Sequence, residues 1–133
     1  EYGIEKAPDM TSPEILVSLL LSSSRDVRSL LSKANEKTRL LTIFSPKEAQ
    51  YFKKEFSGKI HLFYIDISTG SDNGDALLEQ ALDIDWLQDV PFIAICREGD
   101  MAQYAAAIER GAVDILPAPI DMTFAKRRIL HLS

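Results

Sequence analysis

The chain of 133 residues has few of the residue types that carry covalent and metal chemistry: one cysteine, Cys96, and two histidines, His61 and His131. A single thiol forms no internal disulfide, which removes the class of small secreted domains stapled by bridges. One cysteine and two histidines also leave no ligand set for a structural zinc ion. Positive charge is in short supply, with 15 Lys and Arg against 20 Asp and Glu, a net charge of −5. A nucleic-acid-binding domain would carry a basic footprint, so no direct nucleic-acid partner is expected. Apolar runs are short against the ~20 residues that span a bilayer, and no signal-peptide pattern opens the chain. No membrane partner and a cytoplasmic location are therefore expected. The chain begins at Glu1 rather than a methionine, as a piece of a longer protein would. What is present is ordinary for one globular domain: 46% hydrophobic and 26% charged residues, enough for a full core.

No side-chain repeat runs through the chain; what recurs is the kind of segment. Ile15 to Leu21 is nearly continuously apolar, the pattern of a strand buried on both faces. Val27, Leu30, Leu31 and Ala34 follow at helical spacing. Arg39 to Phe44 is a second strand. Ser45-Pro46-Lys47-Glu48 then supplies an N-cap, a proline in the first turn and a capping-box glutamate for a helix with Ala49, Phe52 and Phe56 on one face. A third strand runs from Ile60 to Ile67 and ends in the polar loop 68–74. The helix after it carries Leu77, Leu78, Ala81 and Leu82. Pro91 opens a fourth strand, Phe92 to Cys96. Asp100 caps a helix with Met101, Tyr104, Ala105 and Ile108 as apolar positions, and Gly111 stands where a helix-ending glycine belongs. Ala112 to Leu116 is a fifth strand. Asp121 caps the last helix, with Met122, Ala125, Ile129 and Leu132 facing inward. Five strands alternating with five helices specify an α/β fold, a doubly wound parallel sheet with helices on both faces. The domain spans residues 14–132, and residues 1–13 form an arm or linker.

Ligands of open parallel sheets bind outside the carboxyl ends of the strands. The residues there are Ser22 and Ser23, Asp66, Cys96 and Ala118, and only Asp66 is a carboxylate. It can be a phosphoacceptor, a cap or a solvated side chain. No strand end pairs a nucleophile with a base, so an enzyme is not expected.

Five motifs in order make the chain resemble the receiver domain of two-component response regulators. They are the Pro-led fourth strand Pro91 to Cys96; Gly111-Ala112-Val113-Asp114 turning into the fifth strand; Pro119 beyond it; the spacing from Asp66 to Gly74; and the helix starts at Ser24-Arg25-Asp26 and Lys47-Glu48-Ala49. The resemblance implies a flavodoxin-like sheet of strand order 2-1-3-4-5. It also implies what this chain has exchanged. Two acids that join the phosphoacceptor in holding Mg²⁺ fall on Ser22 and Ser23. The phosphoryl-binding Thr/Ser falls on Cys96, the charge-neutralising Lys on Ala118, and the aromatic switch residue on Ile115. Asp66 is left as a vestigial phosphoacceptor in an altered pocket. A hard cation needs several oxygen ligands, and phosphoryl transfer needs its charge offset, so no metal, no cofactor and no useful phosphorylation are expected.

The resemblance implies a degenerate receiver: a regulatory interaction and dimerisation module coupled to an effector domain in the same full-length chain. The family's dimer face, made by the fourth helix, fifth strand and fifth helix, would here include Ala105, Ile108, Lys126 and Arg127. Two alternatives stand beside it: a phosphoacceptor served by a histidine kinase through Asp66, and a small-ligand sensor using the emptied pocket. Cys96 reads either as a redox thiol helped by Arg97 or, by preference, as a semi-buried strand-end residue. Lys126-Arg127-Arg128 reads as a solvated face that complements its helix end. Trp86 reads as a buried helix-end cap before an exposed partner contact.

Overall fold

In a computed structural model, residues 15–69, 72 and 74–132 are described, the last two as backbone only. The arm expected at residues 1–13 and the inward Leu132 side chain lie outside that description. Strands β1 (Val17–Leu21), β2 (Arg39–Ile43), β3 (Ile60–Asp66), β4 (Phe92–Arg97) and β5 (Asp114–Ala118) alternate with α1 (Arg25–Ala34), α2 (Gln50–Phe56), α3 (Asp75–Leu82), α4 (Met101–Glu109) and α5 (Met122–Leu132). All neighbouring strands pair in parallel in the order β2-β1-β3-β4-β5. The expected doubly wound sheet and its strand order are what the chain adopts.

The sheet separates two cores. On one face α2, α3 and α4 cover Leu19, Leu21, Phe63, Ile65 and Ala94. On the other, α1 and α5 cover Leu20, Leu62, Tyr64, Ile93 and Ile95. Side chains alternate across a strand, so consecutive residues of β1, β3 and β4 feed opposite cores, which is why these segments read as unbroken apolar runs.

The ends of β2, β3 and β4 each differ by one residue from the sequence reading, and other boundaries differ more. The first strand starts at Val17, two residues late, and leaves Ile15 exposed. The Ser45–Glu48 capping box forms, but it opens a 3-10 turn (Pro46–Ala49) that hands over to α2 at Gln50. The fifth strand is shifted to Asp114–Ala118, so Pro117 lies inside it. β5 is an edge strand, where a proline costs no ladder bond, and Pro117 is opposite Cys96. Ala118 is thus the last residue of the strand rather than the one past it, and the Ala118–Pro119 peptide is cis.

The fourth helix differs most. Met101, Ala105 and Ile108 point outward, and the buried positions are Gln103, Ala106 and Ala107. Asp100 caps the helix through the Gln103 N–H, as expected. Its phase is set by the amide of Gln103, which satisfies two backbone groups inside the protein, and by alanines small enough to lie close on the sheet. Gly74, at φ +82°, ends the β3–α3 loop; a Cβ there would strike the Ile67 side chain, so glycine is required at that position.

Candidate functional site

β1 and β3 are adjacent, so their carboxyl ends bring Ser22 and Asp66 together across 44 residues of sequence. Asp66 is 2% exposed, and its carboxylate is bound on both oxygens. The Ser22 hydroxyl donates to Oδ2 at 2.6 Å. Ser68 donates to Oδ1 twice, from its backbone N–H at 2.9 Å and its hydroxyl at 2.6 Å. Ser22 is itself held, since its Oγ accepts from the Ser24 N–H at 3.0 Å and its backbone N–H bonds to Ile43. Burying a carboxylate without such donors costs several kcal/mol, which makes the two serines structural partners of Asp66.

Two arginines brace the clamp from outside. Arg28 of α1 donates to the Ser22 carbonyl at 3.2 Å and lies over the Phe44 ring, 4.3 Å from its centroid. Arg97, at the end of β4, donates to the Ser68 carbonyl at 3.1 Å and bonds Asp100 through Nε and Nη2. The Gln103 N–H and the Arg97 guanidinium hold the Asp100 carboxyl below the ordinary carboxylate range. Beneath them, the fully buried Gln103 donates to the Ile67 carbonyl at 2.8 Å and accepts from the Arg97 N–H at 2.7 Å. The loop that carries Ser68 is thereby tied to the start of α4 by two bridges.

The residues singled out in the sequence do not all meet here. Ser22 and Asp66 are in direct contact, whereas Ser23 is exposed. Ile115 packs into the core under α2–α4, and Ala118 into the core on the opposite face of the sheet. Cys96 is fully buried, not at a rim. Burial pushes its thiol up to about 12, with Asp100 and Asp66 adding in the same direction. The redox reading is therefore corrected: the Arg97 guanidinium is turned to Asp100 and Ser68, and the negative neighbours prevail. On α5, Lys126 faces Glu36 at 3.6 Å and Arg128 faces Asp114 at 3.4 Å, while Arg127 is exposed. Trp86 is half-buried in a 3-10 turn (Asp85–Leu87) and packs against the α2–α4 core.

Arg28, Ser68 and Gln103 belong to the site and were not singled out in the sequence, and Arg97 was named there only as a neighbour of Cys96. Gln103 alone left a signal, a polar residue in phase with Ala106 and Ala107.

The donor set does not fit a hard divalent cation. The two positions that would supply further carboxylates are serines, one of them exposed, and both oxygens of Asp66 already accept hydrogen bonds. Among the described residues no three His, Cys, Asp or Glu side chains gather as metal ligands. Nor is any described helix long and apolar enough to cross a membrane.

Three measurements test this geometry. Asp66→Ala strands two hydroxyls and a backbone N–H, so urea denaturation is expected to show a loss of about 2–4 kcal/mol, with Asp66→Asn losing less because one acceptor remains. Cys96 is expected to resist alkylation in the folded protein at pH 8 and to react readily in denaturant, where a free thiol ionises near ~8.5. Burial also pushes the Tyr64 hydroxyl up to about 12, against a smaller opposite effect of its Asn35 hydrogen bond. Both groups bind protons more tightly when folded, so stability falls as pH rises from about 8.5 toward 12.

No protein-family model matches the sequence, and no curated protein matches it. Solved structures do. A response regulator from Thermotoga maritima superposes with a TM-score of 0.72 at 15% identity, covering 90% of this chain and 98% of that one. The chemotaxis response regulator CheY4 of Vibrio cholerae gives 0.70 at 12%, covering 90% and 100%. NtrX from Brucella abortus gives 0.70 at 21%, and there the match covers 90% of this chain but 27% of the longer protein. Identities this low speak to architecture: the chain has the receiver fold of the response regulators.

Proposed function

We propose that this domain is a degenerate receiver, a regulatory interaction module of a cytoplasmic bacterial signalling protein that works without Mg²⁺-dependent phosphorylation and is not itself an enzyme. The observation that carries the reading is the occupied carboxylate: Asp66, itself 2% exposed, accepts from Ser22 and twice from Ser68. Phosphoryl transfer is chiefly positioning plus stabilisation of charge on the equatorial oxygens. Here the nucleophilic oxygens are engaged, and Ser22, Ala118 and Cys96 are neutral where the fold's phosphorylated members would place charge and a hydroxyl. By analogy with the ~2.7–4 kcal/mol carried by one oxyanion donor, loss of the metal site and the lysine together removes most of the available rate enhancement.

The bridges from Ser68 and Ile67 to Arg97 and Gln103 support a pocket that holds α4 in one setting rather than switching it. A fixed α4 offers a constant surface. Met101 is 71% exposed and Ile108 58%, with Ala105 between them and Val113 exposed beyond the helix. This apolar strip is the face through which we place homodimerisation. Output passes to an effector domain in the same full-length chain, an arrangement for which the short coverage of NtrX offers a parallel.

Incubation with acetyl phosphate and Mg²⁺ is expected to leave the intact mass unchanged. A gain of about 80 Da, one phosphoryl group, that disappears in Asp66→Asn would replace this reading with that of a working phosphoacceptor. Ile108→Asp is expected to shift the protein to the monomer in size-exclusion chromatography with light scattering. An unchanged dimer would remove α4 from the interface.

A further inference from the structure

We propose a second self-association surface, in which the outer face of α5 docks into a groove at the amino-terminal end of β3 and β4 on another copy of the chain. Charge is segregated along the sequence. No lysine or arginine occurs between Lys59 and Arg97, while seven acids do; α5 carries Lys126, Arg127 and Arg128 and no acid. The fold sends these two sets to opposite sides. α3 and the turn with Trp86 pack on one face of the sheet, and α5 packs on the other.

The charges left over after internal pairing define the match. On α5, Lys126 and Arg128 are taken by Glu36 and Asp114, and Arg127 has no ion pair among the described residues. Beside it Leu130 is 75% exposed. On the acidic side Asp85 is taken by Lys53 at 2.8 Å and Asp75 lies 3.9 Å from Arg110, but Glu79, Asp83 and Asp89 have no ion pair among the described residues. Glu79 and Asp83 stand in the last turn and at the C-cap of α3, the end where the helix dipole disfavours acids, and no basic residue accompanies them. An external cation would relieve them.

A groove whose lining includes one of these acids, Asp89, has a volume of about 400 Å³. Ile60, Trp86, Val90 and Pro91 form its apolar wall, and Asp89 lies on it. The Trp86 indole N–H is buried with no acceptor among the described residues. An exposed leucine flanked by an unpaired guanidinium thus meets an apolar groove that carries the unpaired carboxylate of Asp89. Because donor and acceptor surfaces differ and face opposite ways, the contact is heterologous, and copies add head to tail.

The contact is independent of the α4 strip, and its test is run in the Ile108→Asp background to keep the two apart. Sedimentation velocity at low ionic strength should show mass rising with protein concentration, with association weakened about tenfold or more by 0.5 M salt. Arg127→Glu alone and Asp83→Lys/Asp89→Lys alone should each be monomeric, and an equimolar mixture of the two should associate again, since each retains one native surface. Circular dichroism checks that both variants are folded. Three outcomes overturn the proposal: a parent that stays monomeric at low salt, an acidic-side variant that associates like the parent, or a mixture that remains monomeric.

Discussion

A carboxylate shut away from water must be given donors by the protein, and the carboxyl end of this sheet is arranged around that requirement at Asp66. β1 and β3 are adjacent, so Ser22 reaches one oxygen; the chain turns directly after β3, so Ser68 reaches the other with two donors. Further carboxylates at these positions could serve a cation. The serine pair present here gives the buried carboxylate its donors, replacing the water that burial removes.

The clamp has consequences farther out because its members are held in turn. Arg28 fixes the Ser22 carbonyl from α1, and Arg97 fixes the Ser68 carbonyl from β4. Gln103 joins the β3–α3 loop to the start of α4 from inside the core. A glutamine with no exposed surface can leave neither end of its amide unpaired without a penalty of about 1–3 kcal/mol, so the helix rotates to satisfy it. That rotation turns Met101 and Ile108 to the surface, and the apolar surface that α4 presents is in this sense a product of the pocket.

Much of the architecture was legible in the residues themselves. Apolar runs such as Phe92 to Cys96, the helical spacing of Val27 to Ala34, and the caps at Asp100 and Ser45 are local signals that the tertiary structure had no reason to overrule. The phase of α4 was not legible, because Met101, Tyr104, Ala105 and Ile108 form a credible apolar face and Gln103 looks like a surface residue until its two partners are in place. The end of β5 was misread at Pro117, since whether a proline interrupts a strand depends on its being at an edge, a property of the sheet. The preferred reading of Cys96 as a strand-end residue agrees with its burial, and its redox alternative beside Arg97 fell because adjacency in sequence does not say where a guanidinium points.

The sequence by itself determined the layered fold, since strand and helix periods, turn glycines and caps act within a few residues of one another. It also limited the groups available at the strand ends, because serine and alanine offer no carboxylate or ammonium wherever they are placed. Only the tertiary structure decided that Asp66 is already spent, that Gln103 sets the face α4 presents, and that the cations of α5 and the acids of α3 lie on opposite sides of the molecule. Those outcomes depend on hydrogen bonds and packing between residues tens of positions apart, and such contacts exist only once the sheet has brought its strand ends together.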